Sequence, residues 1–172
     1  EYHDEEWGVP LYDDQKLFEF LILEGMQAGL SWITILKKRE AFRTAFADFD
    51  AEKIVKFSAD DIQNLLENKA IVRNKLKINA VIHNAQIFLD LKKQMRFSDF
   101  LWAFVGGEPI QNHWETMTDI PASTPVSDKM AKALKQKNFK FVGTTICYAF
   151  RKATGMVNDH VTSCYRYKML EK

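Results

Sequence analysis

The sequence predicts an all-α fold. Three observations predict it: apolar residues recur at three- and four-residue spacing along most of the chain, few segments alternate with period two, and capping residues precede most apolar runs.

The elements follow in order. Asp13 or Asp14 caps a helix from Gln15 towards Ala28, with Leu17, Leu21, Glu24 and Ala28 on one stripe. Gly29 ends it, and Ser31 restarts a helix through Trp32, Ile35 and Leu36 into the solvated run Lys37-Lys38-Arg39-Glu40. Ser58 with Asp61 makes a capping-box pattern, with Asp in place of the usual Glu or Gln, for a helix through Ile62, Leu65 and Leu66 that stops near Asn68. After the short link Lys69-Ala70-Ile71-Val72 comes a long amphipathic helix with Ile78, Val81, Ile82, Ala85 and Leu89 inward, and Asn79, His83, Gln86 and Asp90 in water. Ser98 is expected to cap FLWAFV, Ser127 to cap DKMAKALKQK, and Thr144 or Thr145 to open a helix that Gly155 closes. The loop from Gly106 to Pro125 carries three of the four prolines and separates the middle of the chain from its end.

With 172 residues, 47% of them apolar, the chain can build a substantial core, which argues against intrinsic disorder. The 24 basic and 23 acidic residues leave a net charge of +1, so a polyanionic partner must be held by local patches rather than by a global field. The first residues are acidic, whereas Lys129 to Val157 contains no acid and seven Lys or Arg, which fits either a phosphate-facing surface or a solvated helix face. Cys147 and Cys164 make no disulfide framework and the opening residues resemble no signal peptide, so a reduced, cytoplasmic setting is expected. Glu24, Gln27, Ser31 and two glycines interrupt the most apolar stretch, LILEGMQAGLSWITIL, too often for a membrane span.

Three constellations carry chemistry. Two helices joined by a short link, with Arg73, Lys75 and Lys77 entering the second, suit a helix-hairpin-helix. Free N–H groups at a helix start can hold a phosphate there; an ordinary helix–helix corner has the same pattern. His160 and Cys164 stand four apart, which on a helix would point both one way; with His3 they offer up to three zinc ligands, or else a buried Cys and a surface His. Glu24 is the only charge among apolar residues from Leu21 to Leu36. A carboxylate there is protonated, paired, or awaiting a cationic ligand, and the aromatics Tyr2, Trp7 and Trp32 would suit a flat cation.

The strings YHDEEWGVP, LEGMQAGLSWITILKKRE, FKFVGTTICY and VNDHVTSC, in this order from Tyr2 to Cys164, closely resemble the bacterial 3-methyladenine DNA glycosylase I family of the helix-hairpin-helix superfamily. The resemblance implies one glycosylase domain, 1–172, with a helical lobe at 14–105 and a terminal lobe formed by 1–13 and 106–172, closed where the chain ends meet. It implies hydrolysis of the N-glycosidic bond of 3-methyladenine in double-stranded alkylated DNA after base flipping, without a lyase step, by a monomer. It maps the base-binding, catalytic carboxylate onto Glu24, base-stacking aromatics onto Trp32 and Tyr2 with Trp7 beside them, and a DNA wedge onto Gly29-Leu30. Backbone contacts fall on Ala70, Ile71, Arg73, Lys75 and Lys77. It also implies a structural Zn²⁺ held by His3, His160 and Cys164 with a further Cys that this chain does not include. Asp90 reads as solvated surface, in line with a family lacking the superfamily's usual catalytic aspartate. Two positions depart from the family: Met26 where Gln is frequent, and Ala70 for a hairpin glycine, which would be strained if φ were positive there.

Two other functions compete with the enzyme: a non-catalytic module that grips DNA phosphates, and an interaction protein with a metal-stapled helical core. Only the glycosylase needs Glu24 and Trp32 together in one pocket.

Overall fold

A computed structural model describes residues 1–171; Lys172, the last residue of the expected terminal lobe, lies outside the described residues. Helices α1 (Tyr2–Glu5), α2 (Asp14–Gln27), α3 (Trp32–Ala45), α4 (Ala51–Ile54) and α5 (Ala59–Glu67) lead to the long α6 (Lys75–Lys92). They are followed by α7 (Phe97–Trp102), α8 (Pro125–Gln136), α9 (Thr144–Ala153) and α10 (Tyr165–Leu170). Among the described residues the fold is all-α apart from one parallel pair, β1 (Ile110–Gln111) with β2 (Val157–Asn158). Two residues per strand are too few to show alternation, so the pair left no trace in the sequence pattern.

Asp13 opens α2 as expected, its carboxylate accepting from the Lys16 N–H at 2.8 Å. Every residue from Leu17 to Met26 is buried, so α2 is enclosed on all sides by α3, α6, α7 and α9. Gly29, at φ +79°, makes the turn out of α2, and the Ser31 hydroxyl caps α3. Ser58 and Asp61 form the reciprocal capping box.

Three local expectations are corrected. The link between α5 and α6 runs from Asn68 to Asn74, longer than expected, because the Asn74 side chain caps α6 and leaves Arg73 in the loop. Ser98 does not cap α7: the distant Asp14 carboxylate does, accepting from the N–H groups of Phe97 at 3.3 Å and Ser98 at 2.8 Å. Helix α8 starts earlier, at Pro125, with Thr124 as cap and Ser127 as its capping-box partner.

Most of the buried apolar residues from Leu17 to Met156 form a single cluster. The N-terminal segment lies on the end of α9, with Gly8 and Leu11 donating to the carbonyls of Ala153 and Thr154 at 3.4 and 3.0 Å. Gly155, at φ +75°, permits this crossing, since a Cβ there would stand 2.4 Å from the backbone of Val9 and Pro10. The chain's two ends thereby meet.

Candidate functional site

Two carboxylates are buried in α2, and their surroundings differ. Glu19 is held by Arg43 at 2.8 Å and by Arg39 at 3.5 Å, so its charge is paired. Glu24, 4% exposed, has no such partner. Burial pushes its carboxyl up to about 8; the positive charge of Lys152 on α9 opposes the shift, and no hydrogen bond contributes. At neutral pH the acid is therefore largely protonated.

Tyr2 and Trp32 stand against each other, ring centroids 5.9 Å apart at 50°. The Tyr2 hydroxyl is buried without a hydrogen-bond partner. Burial first, and then the nearby Glu24 charge, raise its pKa above the usual phenol range. The Tyr2 phenol and the Glu24 carboxyl, which accepts no hydrogen bond, lie near enough for the acid's charge to act on the phenol, an arrangement that suits a ligand with its own hydrogen-bonding edge.

Helix α1 is too short to hold itself in place. The Tyr2 carbonyl accepts from the Glu6 and Trp7 N–H groups at 3.0 and 2.9 Å, and the Glu6 side chain is gripped by Arg39 of α3. Because Trp32 and Arg39 are seven residues apart on α3, they share a face.

His3, His160 and Cys164 come together, with their ligand atoms within 4.8 Å of one another. The Cys164 Sγ lies 3.8 Å from His3 Nε2 and 3.6 Å from His160 Nδ1, near the ~3.3–3.8 Å edges of a tetrahedral zinc site. Each histidine can donate its other N–H outward, His3 to Asp4 Oδ1 at 3.0 Å and His160 to the Trp7 carbonyl at 3.2 Å, leaving both lone pairs for the centre. His160 and Cys164 are not on one helix, as expected from their spacing; a turn closed by Cys164 N–H to Val161 O brings them together. Trp7 belongs to this cluster rather than to the aromatic pair, its ring edge-on to His160 at 4.5 Å.

On the outer face, Leu30 is 42% exposed and a Cβ on Gly29 would meet nothing, so this turn projects freely. Arg73 and Lys75 are exposed near the start of α6, while Ile71 is buried as the hairpin's apolar anchor. The Ala70 N–H is occupied by the Asn68 side chain at 3.0 Å, and Ala70 is not among the residues with positive φ, so the strain expected there does not arise. Lys77 is the clear correction: it turns inward, 8% exposed, and donates to the carbonyls of Met26 at 2.9 Å and Ala28 at 2.5 Å instead of facing a phosphate. Asp90 is exposed and bonded by Gln86 and Lys93, as the surface reading expected; His83 on the same stripe is half-buried and bonded to the Asn138 carbonyl at 2.6 Å.

The residues that sequence reasoning missed are Glu6, Glu19, Arg39 and Lys152. The seven-residue step from Trp32 was the available signal for Arg39; nothing local marks Lys152.

The fold that carries this site is shared with a class of DNA glycosylases, as comparison with known proteins shows. Within that class the chain belongs to the methyladenine glycosylase family, which it matches over residues 1–167. It is 50% identical to DNA-3-methyladenine glycosylase 1 of Escherichia coli (strain K12) over 167 residues, 96% of this chain and 89% of that protein. A crystal structure of 3-methyladenine DNA glycosylase I superposes with TM-score 0.93 at 52% identity, covering 95% of this chain and 91% of the other. Another, a variant of 3-methyladenine DNA glycosylase I in complex with 3-methyladenine, superposes with TM-score 0.92 at 39% identity over 95% and 89%.

Proposed function

We propose that this chain is a monofunctional DNA glycosylase that hydrolyses the N-glycosidic bond of 3-methyladenine in alkylated double-stranded DNA, the first step of base excision repair. The observation that carries the proposal is Glu24, an acid buried without a hydrogen-bond partner close to the Tyr2 phenol that packs on Trp32. A flipped N3-methylated adenine is flat and cationic. It stacks on the aromatic rings, and its charge drives the Glu24 carboxyl to ionise and accept from the purine edge. Normal adenine brings no charge and leaves the acid without an incentive to ionise, which is the basis of discrimination.

The lesion supplies most of the leaving-group activation. As the C1′–N9 bond breaks, its electron pair neutralises the positive purine, which departs as 3-methyladenine. Water bonds to C1′ and releases a proton. The lesion's own lability makes a covalent lysine intermediate unnecessary, and Lys77, buried, is committed to two carbonyls. Gly29-Leu30 fills the emptied stack, and Arg73 and Lys75 grip the backbone. His3, His160 and Cys164 would hold a structural zinc, whose chemistry would be ligation only; it would tie α1 to the turn between β2 and α10 and so help to keep Tyr2 near Glu24. The protein acts as a monomer in the cytoplasm.

The test is chromatographic detection of bases freed from N-methylated duplex DNA, with Glu24→Gln alongside. Release of 3-methyladenine but not 7-methylguanine, lost in the variant while DNA binding persists, is the expected result. A folded, DNA-binding wild type that frees no base would establish a binding module instead.

A further inference from the structure

Lys77 sits where two DNA-facing features converge. Its backbone belongs to the first turn of α6, directly after the exposed Arg73 and Lys75. Its ammonium crosses to the last turn of α2 and satisfies the carbonyls of Met26 and Ala28. Helix C-terminal carbonyls lack intrahelical partners and carry partial negative charge, so a cation there closes two of them at once. The turn it closes is Ala28-Gly29-Leu30. Nothing stands within 4 Å of a Cβ on Gly29 and Leu30 is 42% exposed, so beyond the Leu30 N–H bond to the Gln27 carbonyl the turn has little packing of its own. Beyond it, the Ser31 cap fixes only the α3 side. An exposed lysine would have added one more phosphate contact; the buried one fixes geometry.

We propose that Lys77 is a positioning residue for DNA distortion, whose ammonium locks the Gly29-Leu30 turn to the first turn of α6 so that the phosphate-gripping hairpin and the wedge move as one body. The proposal rests on the reading of Leu30 as the wedge. A wedge can hold open a gap in the stack only if it is braced against the element that grips the backbone. Lys77 supplies that brace across a separation of 49 residues in sequence.

Lys77→Met keeps the stem and removes the ammonium. Two quantities are read on the whole chain: single-turnover release of 3-methyladenine from methylated duplex, and affinity for free 3-methyladenine by tryptophan fluorescence, which needs the pocket but no wedge. Duplex release is expected to fall about tenfold or more on loss of the two charge-assisted hydrogen bonds, with free-base affinity kept within about twofold. Leu30→Ala is expected to show the same split, and the double variant to fall no further than the worse single one, because both act on one device. Lys77→Gln, which keeps a donor, should show the split at smaller size and serves if Lys77→Met does not fold. Parallel loss of release and base affinity in the Lys77 variants, or additive losses in the double variant, would overturn the proposal. Duplex-specific loss in Leu30→Ala with wild-type release in Lys77→Met and Lys77→Gln would reject the brace alone. Unchanged release in Leu30→Ala would reject the wedge reading on which it rests.

Discussion

Arg39 grips both carboxylate oxygens of Glu6, at 3.0 and 2.7 Å, and thereby fastens the segment that carries Tyr2 to the helix that carries Trp32. A planar, two-point contact of this kind fixes orientation as well as distance, which a lysine cannot do. Since Glu19 holds the other side of Arg39, the clamp is itself braced from α2.

Arg39→Lys is accordingly expected to weaken binding of 3-methyladenine by about three- to tenfold, through a looser Tyr2, while affinity for undamaged duplex stays unchanged. Titration of the free base into variant and wild type checks this. Equal affinities would mean that Tyr2 is placed by the terminal cluster alone.

The buried acid makes stability depend on pH. The Glu24 carboxyl stands at about 8 in the folded chain against an ordinary value of 4.5. Below the lower value it is protonated in both states and its titration contributes nothing. As pH rises from there to about 8, only the unfolded chain releases the proton, so stability falls through that window and stays reduced above it, by an amount on the order of a few kcal/mol. Glu24→Gln removes this slope: its thermal midpoint is expected to match wild type near pH 4 and to exceed it at pH 9. Coincident midpoints at pH 9 would show that the acid is hydrated in the folded state.

For the terminal cluster, elemental analysis of the protein with the further Cys that the family resemblance implies is expected to give about one zinc per chain, and cobalt in its place to show a thiolate absorption band weakened in Cys164→Ser. His160→Ala should abolish the metal along with the increase in thermal midpoint that zinc confers. A protein that binds no zinc and shows no such band sinks the assignment.

Gly155→Ala is expected to destabilise by about 2–4 kcal/mol, because the added methyl meets the Val9 and Pro10 backbone and the residue must also hold a positive φ. Chemical denaturation measures the loss. A cost below about 1 kcal/mol would show that the N-terminal strap shifts away freely.

Most helices were legible because their signals are local. Asp13, Ser31 and Ser58 sit a few residues from the N–H groups they cap, so spacing alone reveals them. The Ser98 cap was misread for the opposite reason: the carboxylate that closes α7 comes from Asp14, which is distant in sequence. The site divides in the same way. Glu24 was conspicuous as one charge in an apolar run, and the resemblance of the surrounding strings to a known family attached a role to it. Lys77 followed the basic pattern of the hairpin, and only the folded chain reveals that its amine points at carbonyls from another helix.

The sequence by itself determined that this is a helical protein, where its principal helices begin, and which carboxylate stands out, since caps and periodicity act over a few residues. Tertiary structure decided which acids are paired. Glu19 and Glu24 lie five residues apart on one helix and look alike in sequence; the packing of α3 brings two arginines to the first, and the packing of α9 brings the second only the charge of Lys152. Whether a buried charge is neutralised depends on groups that arrive from elsewhere in the chain, and no local pattern encodes their arrival.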